Sequence, residues 1–286
     1  MNIGILGARG QIGRRLTQLA EAAGHKVVPF SRSAHPGHRE IPATGPLDFS
    51  RLDAVVNLAG EPIFGLWTSS KKEKILRSRV DTTRQVVESI QRGKPAVIVN
   101  ASAIGFYGDT GKEEVDESSP AGSGFLADVC QAWEDAILPA EKKRTRVVRL
   151  RIGFVVGPGG VMKILRPLFL CGLGGWIGRG RRWMSWIHID DVASMILWAI
   201  ENENVRGALN ATTPEPIRNF DFMQDIARAY YRLAILPIPP LALRLALGEL
   251  SLLVLDNSRV RPAKAIDLGY RYRQLSLVRS LRKSYI

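Results

Sequence analysis

The first half of the chain alternates short apolar runs with longer amphipathic stretches. The apolar runs lie at 2–6, 26–30, 54–58, 96–101 and 146–151, and the amphipathic stretches lie at 12–23, 71–91 and 127–142. Runs such as Val97-Ile98-Val99 are continuous rather than alternating, which is typical of strands covered on both faces. Strands that alternate with helices indicate βαβ units. We therefore predict an α/β fold with a doubly wound parallel sheet.

The second half is less regular. Glycine and proline concentrate between 157 and 180, which indicates a loop-rich segment over a ligand crevice. A strand at 186–189, helices at 192–201 and 220–233, and an apolar helix at 241–255 are expected to follow. We predict a first domain at 1–157, to which part of 185–212 returns. Residues 158–286 are predicted to form a smaller C-terminal α/β lobe on the substrate side.

The spacing of three glycines after the first strand carries the strongest chemical signal. Gly7, Gly10 and Gly13 form a GxxGxxG pattern that follows a strand and opens a helix. Gly7 permits the tight turn, Gly10 has no side chain to block a pyrophosphate, and Gly13 lets helix and strand pack closely. The free amides at the helix start, with its positive dipole end, would receive the diphosphate. The sequence predicts a Rossmann-type dinucleotide site contacted by these glycines, Gln11 and Ile12.

The end of the second strand indicates which dinucleotide binds. NAD is usually held there by an acid, whereas this strand ends in Phe30-Ser31-Arg32. Arg32 and Arg9 could both reach a ribose 2′-phosphate, which suits guanidinium geometry, and Ser31 adds a hydroxyl. The nearest acids, Glu40 and Asp48, are expected in later loop sequence. We predict NADP(H) in preference to NAD(H).

The net charge of +13, from 40 basic and 27 acidic residues, would attract anions. The basic residues are dispersed, and the clusters 71–74 and 179–182 lack the interleaved aromatics of a single-strand nucleic-acid platform. This favours a basic surface that suits a phosphorylated ligand, and we expect no nucleic-acid partner.

Cysteine usage and hydropathy indicate the compartment. Cys130 and Cys171 form no CxxC pair and no disulfide framework, so no structural metal site is expected and the pattern fits a reducing cytoplasm. No secretory signal precedes the first strand. Prolines and charged residues interrupt the apolar stretch 233–255, so we expect no membrane span. The helix at 241–255 is expected to be either a core element or the face of a homodimer.

Further motifs carry a family resemblance. They are Asn57-Leu-Ala-Gly60-Glu61-Pro62, Ser78-Arg79-Val80 with Thr83, Ser102 through Tyr107 to Asp109, Arg151 to Gly157-Pro158, Trp186-Ile-His188-Ile-Asp190-Asp191, and Arg259 to Pro262 with Gly269-Tyr270. With the glycine turn, and in this order, they cover essentially the whole chain. The chain resembles the extended short-chain dehydrogenase/reductases, and among them an atypical subgroup named as nucleotide-sugar epimerases.

The resemblance implies further cofactor contacts at strand ends and on the helix after the fourth strand. The implied residues are Ser31, Arg32, Leu58, Ala59, Gly60, Arg79, Ala101 and Phe154. Phe154 would contribute a main-chain contact near the nicotinamide. A position five residues before Arg79 that is acidic in some members of the family is Lys74 in this chain.

Catalysis is harder to predict, because typical members use a Tyr and a Lys spaced YxxxK on one helix for proton transfer. No tyrosine of this chain has a lysine four residues later, and Leu126 and Cys130 occupy the corresponding positions. Ser102 and Tyr107 remain as catalytic candidates, although in ordinary extended members the tyrosine of such a Tyr-Gly pair is structural or faces the substrate.

Other side chains are candidates for contact with a substrate. Glu61, Trp186 and His188 are predicted substrate contacts, and Asp190 and Asp191 are expected to cap the next helix. The tryptophans at 67, 176, 183 and 186 are expected in loops over the crevice, where they would favour an apolar or ring-shaped ligand.

Two hypotheses follow. The first is an NADP(H)-dependent oxidoreductase or epimerase whose proton donor is Tyr107 or water, acting on an unidentified small molecule. The second is a non-catalytic NADP(H)-binding sensor or scaffold. The missing YxxxK pair favours the second hypothesis, whereas Ser102, the tryptophans and a full substrate-side half favour the first.

Overall fold

A computed structural model of the protein describes residues 1–32, 35–91, 93–251 and 257–285. The strands in chain order are β1 (Asn2–Leu6), β2 (Lys26–Ser31), β3 (Arg39–Glu40), β4 (Ala54–Asn57), β5 (Val97–Ala103), β6 (Glu114–Val115), β7 (Arg146–Ile152), β8 (Phe154–Val156), β9 (Gly175–Ile177), β10 (Trp183–Met184), β11 (Trp186–His188), β12 (Gly207–Ala211), β13 (Ile217–Arg218), β14 (Leu236–Ile238) and β15 (Arg259–Val260). The α-helices are α1 (Gln11–Ala22), α2 (Ser69–Glu88), α3 (Phe125–Ile137), α4 (Pro139–Lys142), α5 (Met162–Leu170), α6 (Ile189–Glu201), α7 (Asn219–Ala229), α8 (Pro240–Leu247), α9 (Ala263–Asp267) and α10 (Leu277–Tyr285).

The central sheet has seven parallel strands in the order β12-β7-β5-β4-β1-β2-β3. From β1 the chain winds outward to β2 and β3, then crosses back to β4 and winds the other way. The order of strands therefore reverses between β1 and β4. In open α/β sheets, ligands bind at the carboxyl ends of the strands at this reversal. β12 lies at the sheet edge and comes from the segment 185–212 that the sequence assigns to the first domain.

Helices cover both faces of the sheet. Since successive side chains of a strand point to opposite faces, neighbouring residues of one strand pack in different clusters. Val97 and Val99 of β5 pack in one buried cluster with Leu16 of α1 and Met195 of α6. Ile98, between the two valines, packs in a second cluster on the other face, which includes residues of α2, α3 and α4. The continuous apolar runs in the sequence reflect this double burial.

The second half builds a smaller lobe around its own core. Phe169 of α5, Trp186 of β11, Phe222 of α7 and Leu281 of α10 pack together there. Short strand pairs frame this lobe, in which β8 pairs with β11, β9 with β14, β10 with β13, and β6 with β15. The segment 157–180, expected to be loop-rich, contains α5 and β9 between its turns.

Several element bounds differ from the sequence expectation. The helix expected at 127–142 is two helices, because Pro139 begins α4 after α3 ends at Ile137. Of the helix expected at 241–255, α8 ends at Leu247 and is followed by a 3₁₀ turn (Gly248–Ser251), whereas residues 252–255 lie outside the described ranges. Leu241 and Leu245 of α8 are 67% and 81% exposed, so they do not lie in a core. Within the described part of the chain, no helix combines the length and apolarity that a membrane crossing needs.

Candidate functional site

The glycine turn joins β1 to α1 at the carboxyl edge of the sheet. Gly7 has φ +80°, and a Cβ there would lie 2.7 Å from the carbonyl oxygen of Leu58. A Cβ on Gly13 would lie 2.3 Å from the carbonyl oxygen of Gly7. Gly10 is the N-cap of α1 and makes no side-chain cap, and the first turn of this helix contains no acidic residue. The helix start therefore presents backbone amides and a positive dipole end without a competing anion.

The tip of β2 lies beside this turn and carries positive charge. Nη1 of Arg9 is 2.6 Å from Nε2 of His35, and Arg32 is exposed just after β2, whose last residue is the buried Ser31. The expectation that Glu40 lies in loop sequence is wrong. Glu40 lies in β3, where it pairs directly with Ser31, so one carboxylate is present near this tip.

The segment after β4 lies against α2. The backbone N–H of Leu58 donates to the carbonyl of Leu6 at 2.9 Å, which aligns this segment with the end of β1. Nη1 of Arg79 donates to the carbonyls of Glu61 at 3.1 Å and Ile75 at 3.0 Å. A Cβ on Gly60 would lie 3.2 Å from Cζ of Arg79. The guanidinium of Arg79 thus lies close against the backbone where Gly60 leaves space.

A cavity of about 350 Å³ extends from the glycine turn to the smaller lobe. Its walls come from the ends of β5 and β7, from α2 and α3, from β8 and from residues around Trp183 and Ser258. Its lining includes Gln11, Arg79, Leu126, Cys130, Phe154 and Trp183. Most of the lining is apolar, and the volume falls in the range of small-molecule sites. We name it the main cavity.

Few groups on the wall of the main cavity can exchange a proton. Burial raises the pKa of the Cys130 thiol to about 11, and Glu134 nearby adds to the shift. Burial lowers the pKa of Arg79, although Cys130 and Glu61 oppose this change. Leu126 and Cys130 pack beside Gly105, where a Cβ would meet Leu126 Cβ at 3.4 Å and Cys130 Sγ at 3.9 Å. Near neutral pH the thiol is protonated, and a leucine cannot exchange a proton at all.

Gln11 links the glycine turn to the main cavity. It is the first residue of α1, and its side chain lies against the loop 157–160, where a Cβ on Gly160 would be 2.8 Å from Oε1 of Gln11. Nε2 of Gln11 is buried and has no hydrogen-bond partner among the described residues. An amide donor left in this state is costly unless a ligand supplies an acceptor. The turn and this amide together fit a phosphate-bearing cofactor.

Ser102 and Tyr107 lie in a buried ionic network behind the cavity wall. Ser102 Oγ donates to Oε1 of Glu134 at 2.8 Å. Arg151 donates to both oxygens of Glu134, at 2.8 and 2.9 Å, and to the Tyr107 hydroxyl at 2.8 Å. That hydroxyl donates in turn to Oδ1 of Asn210 at 2.8 Å. Burial raises the pKa of Tyr107 to about 12, although Arg151 opposes the shift.

Neither Ser102 nor Tyr107 is among the residues that line the main cavity. Both are almost fully buried, at 3% and 4% exposed. Their hydrogen-bonding capacity is used within the network, which argues against the catalytic role that the sequence suggested. Ala101, in the same strand as Ser102, is also buried.

The three predicted substrate contacts do not line the main cavity either. Glu61 accepts a 2.7 Å hydrogen bond from Lys71, which is the main cause that lowers the pKa of its carboxyl. Trp186 is 2% exposed in the core of the smaller lobe. His188 is 2% exposed, and burial lowers its pKa. The positions of Trp186 and His188 indicate packing rather than ligand contact.

The expected capping of α6 by two aspartates is wrong. His188 is the N-cap, and its Nδ1 accepts from the backbone N–H of Asp190 at 3.2 Å. Asp190 pairs with Arg15 of α1 at 2.6 Å. Asp191 is fully buried and accepts from the backbone N–H groups of Arg273 and Gln274. The pair of aspartates therefore ties α6 to α1 and to the C-terminal segment.

Of the four tryptophans expected in loops over the crevice, only Trp183 lines the main cavity, and Trp176, Trp183 and Trp186 lie in strands. Sequence reasoning missed Trp133, which lines the main cavity from α3 and donates through Nε1 to Thr83 Oγ1 at 3.0 Å. The amphipathic pattern of this helix predicts that Trp133 is buried, but it does not predict that Trp133 lines a cavity. No set of three or more His, Cys, Asp or Glu side chains in the described ranges could hold a metal ion.

With the sheet, the glycine turn and the cavity described, comparison with known families gives the class of the protein. Residues 3–212 match the NAD dependent epimerase/dehydratase family, and residues 238–282 match a domain of unknown function, DUF1731. The chain belongs to the NAD dependent epimerase/dehydratase family. These two matches, over the core fold and over the C-terminal segment, confirm the resemblance seen in the sequence.

Among individual proteins, the chain is similar to the epimerase family protein SDR39U1 homolog, chloroplastic, of Arabidopsis thaliana, with 36% identity over 99% of this chain and 86% of the relative. It is 36% identical to the epimerase family protein YfhF of Bacillus subtilis, over 95% of this chain and 94% of that protein. The human SDR39U1 protein is 34% identical over 95% of each chain.

Solved structures agree with this assignment. The crystal structure of human SDR39U1 (isoform 2) with NADPH superimposes with a TM-score of 0.92 at 33% identity, covering 99% of each chain. The UDP-glucose 4-epimerase of Thermus thermophilus, solved with NAD, has a TM-score of 0.77 at 19% identity, covering 99% of this chain and 97% of that one. The second likeness shows the common fold alone.

Proposed function

We propose that this protein binds NADP(H) at the glycine turn, with the 2′-phosphate held between Arg9 and Arg32. The observation that carries the proposal is the close backbone packing at Gly7 and Gly13, where a Cβ would lie 2.7 and 2.3 Å from backbone oxygens, at the start of a helix without a side-chain cap. Such a helix start favours a diphosphate. The presence of NADPH in the similar human structure supports the choice of cofactor.

The nicotinamide half of the cofactor would lie in the main cavity. Gln11, Arg79 and the backbone at Phe154 line it and are proposed to hold this half, since Gln11 supplies an unpartnered amide donor and Arg79 a fixed guanidinium. Leu58, Ala59 and Gly60 would border the path from the glycine turn. NADPH supplies a hydride when bound, and the protein's part is to orient it and to exclude water.

We propose hydride transfer to a small substrate that has an apolar or ring-shaped part. The mainly apolar lining and Trp183 support this substrate shape. Water would supply the proton, because Ser102 and Tyr107 lie in the buried network and the Cys130 thiol holds its own proton with a pKa of about 11. Epimerisation, which must remove and return hydride on alternate faces, usually requires the Tyr–Lys pair and is not proposed.

The same shortage of proton donors supports a second candidate, an NADP(H)-binding sensor or scaffold without turnover. To separate the two, the NADPH-loaded protein would be incubated with a panel of aldehydes, ketones and activated alkenes while absorbance at the NADPH band is followed. Oxidation that is faster than in a cofactor-only control supports hydride transfer. A complete lack of oxidation with full NADPH binding supports the second candidate.

Cofactor preference tests the binding proposal directly. Titration should show tighter binding of NADPH than of NADH, and Arg32→Asp should shift the preference toward NADH. Arg84→Asp, an exposed charge reversal on α2, is the matched control and should leave the preference unchanged. Equal affinities in the wild type, or an unchanged preference in Arg32→Asp, would contradict the proposal. Glu40→Gln shows whether the carboxylate beside Ser31 holds a ribose hydroxyl instead.

The remaining expectations concern organisation and location. We propose a first domain at 1–157, to which part of 185–212 returns, and a smaller lobe at 158–286. We also propose a reducing compartment such as the cytoplasm, since the chain has two cysteines and no CxxC pair. A homodimer through exposed residues of α8, such as Leu245, stays a prediction that light scattering at two protein concentrations tests.

A further inference from the structure

The smaller lobe carries a broad exposed apolar surface. Leu173, just after α5, is 57% exposed, and Leu233 and Ile235, after α7, are 72% and 64% exposed. The exposed apolar side chains of 164–173, 233–236 and 241–245 together form this surface, which we name the leucine face. Single exposed hydrophobic residues are normal on proteins, whereas a large continuous patch marks an interaction site.

Backbone contacts bring the three segments of the leucine face together. Nε of Arg232 donates to the carbonyl of Leu170 at 3.1 Å, which fixes the segment after α7 against the end of α5. Leu236 of β14 pairs with Gly175 of β9, and α8 begins at Pro240, directly after β14. The leucine face is therefore one continuous surface.

Helix α5 is apolar on two of its sides. Met162 and Phe169 are buried in the core of the smaller lobe. Ile164 and Leu168, which are four residues apart and so share one side of the helix, are exposed. A surface helix normally presents polar or charged side chains to water. The exposed side of α5 instead has the composition of a side that contacts an apolar partner.

The charge around the leucine face has a single sign. Segments 161–182 and 228–248 contain eight Lys and Arg residues and no Asp or Glu, although 27 of the 286 residues of the chain are acidic. Lys163 and Arg244 are exposed beside the apolar side chains. Acids from other segments pair with two of the arginines, Asp109 with Arg182 and Asp225 with Arg228. The leucine face thus fits a partner that is both apolar and negatively charged.

A second copy of the chain fits this charge poorly. In a symmetric dimer the same patch lies on both sides of the interface, so the basic side chains of the two copies would face one another. Such like-charge contacts oppose association. An anionic lipid bilayer has both complementary properties, because its acyl chains are apolar and its headgroups carry phosphate. Leucine side chains enter the boundary between acyl chains and headgroups, while Lys and Arg attract the anionic headgroups.

We infer that the leucine face docks the smaller lobe onto the surface of an anionic lipid bilayer, as a peripheral contact without a membrane span. Val161, three residues before the exposed Ile164, lines the main cavity, so docking holds this cavity beside the bilayer. Apolar molecules concentrate in a bilayer, which gives the main cavity a nearby source of them. The inference goes beyond the proposed function and does not depend on the cofactor.

Vesicle flotation with the full chain tests the inference. The protein should bind vesicles made of equal amounts of phosphatidylglycerol and phosphatidylcholine about tenfold or more tightly than vesicles of phosphatidylcholine alone, because each basic side chain near an anionic surface adds attraction. Binding to the anionic vesicles should weaken as the salt concentration rises, since salt screens these exposed charges.

The apolar part of the contact is tested with paired leucine variants. Leu168→Ser/Leu245→Ser removes two exposed side chains of the leucine face and should weaken binding to the anionic vesicles by about tenfold or more. Leu138→Ser/Leu275→Ser, which removes two leucines exposed elsewhere, is the matched control and should bind like the wild type. Circular dichroism of both variants verifies that they are folded.

The basic part is tested with charge reversals at exposed positions. Lys163→Glu/Arg244→Glu should lose the preference for phosphatidylglycerol, whereas Arg84→Glu/Arg271→Glu, the same change of charge elsewhere, should retain it.

Four outcomes would overturn the inference. They are no binding of the wild type to the anionic vesicles, equal binding to both kinds of vesicle, an equal effect of the two leucine pairs, and an equal effect of the two charge reversals. A wild type that is dimeric in solution, becomes monomeric in Leu168→Ser/Leu245→Ser and binds no vesicles would assign the leucine face to a second copy instead.

Discussion

The guanidinium of Arg151 binds both carboxylate oxygens of Glu134, at 2.8 and 2.9 Å, in the buried layer behind the main cavity. Arg149 approaches the same carboxylate at 3.2 Å. Removal of one partner from a buried ion pair leaves an uncompensated charge, which destabilises proteins strongly.

Glu134→Gln should therefore lower the free energy of unfolding by about 3 kcal/mol, since two arginines lose their counter-charge. Denaturant titration measures this loss. Glu141→Gln, on the exposed side of α4, removes the same charge and should change stability by less than about 0.5 kcal/mol. If the loss of unfolding free energy in Glu134→Gln were as small as that in Glu141→Gln, the buried network would contribute little to stability.

Gly13→Ala should abolish NADPH binding and destabilise the fold by about 1–3 kcal/mol, as is usual for overpacking. The new Cβ would lie 2.3 Å from Gly7 O and 2.7 Å from Ala8 Cα, and both are backbone atoms. Gly24→Ala is the control for cofactor binding: a Cβ there meets nothing within 4 Å, but the φ of +80° makes alanine unfavourable, so this variant should lose stability and still bind NADPH. If Gly13→Ala binds NADPH like the wild type, the diphosphate does not lie at this turn.

Cys130 should resist alkylation at pH 8, whereas the exposed Cys171 should react. The pKa of Cys130 is raised from 9.0 to about 11, mainly by burial, so its reactive thiolate is scarce at pH 8. Mass spectrometry after iodoacetamide treatment reads both sites. Cys171→Ser should be almost unlabelled in the folded state, and rapid labelling of Cys130 in that variant would show that the thiol is accessible and ionised.

The same thiol makes a prediction about stability at alkaline pH. Because its folded-state pKa of about 11 exceeds the ordinary value of 9.0, the unfolded chain loses this proton first as pH rises. The contribution to stability is complete below pH 9 and is lost toward pH 11. Cys130→Ala should therefore show a shallower decline of unfolding free energy across this interval than the wild type, and parallel curves would contradict the shifted pKa.

His188 makes the opposite prediction at acid pH. Burial lowers its pKa, so the folded state keeps the ring neutral while the unfolded chain takes up a proton near the ordinary value of 6.5. Stability from this group is present above pH 6.5 and is lost as the pH falls below it. His188→Asn, which retains an N-cap acceptor for α6, should flatten the decline in stability between pH 7 and pH 5. An unchanged decline would assign it to other groups.

Local chemistry explains what could be predicted from the sequence. The glycine turn, the parallel strands and the absence of YxxxK depend on residues close together in the chain, and the backbone conformation of Gly7 follows from its neighbours. Leu126 and Cys130 could be placed together because residues four apart share one helix face. These features need no knowledge of distant contacts.

The position of Tyr107 depends instead on a contact 103 residues away, with Asn210 of β12. Its motif is the same whether the hydroxyl faces a ligand or closes a buried network, so the sequence left both interpretations open. Likewise, His188 is the N-cap of α6, whereas Asp190 in the first turn pairs with Arg15, 175 residues away in the chain. The position and the hydrogen-bond partners of a side chain at a site depend on such distant residues.

The position of Gln11 between the glycine turn and the loop 157–160 has a consequence for the order of events. Gln11 is the first residue of α1 and also part of the cavity wall, so a molecule that binds its amide and moves the side chain changes the space left for a second molecule. Occupancy of one site is then energetically coupled to occupancy of the other, and by linkage the coupling is equal in both directions. Binding of the cofactor would change the affinity for the substrate, and binding of the substrate would change the affinity for the cofactor by the same factor.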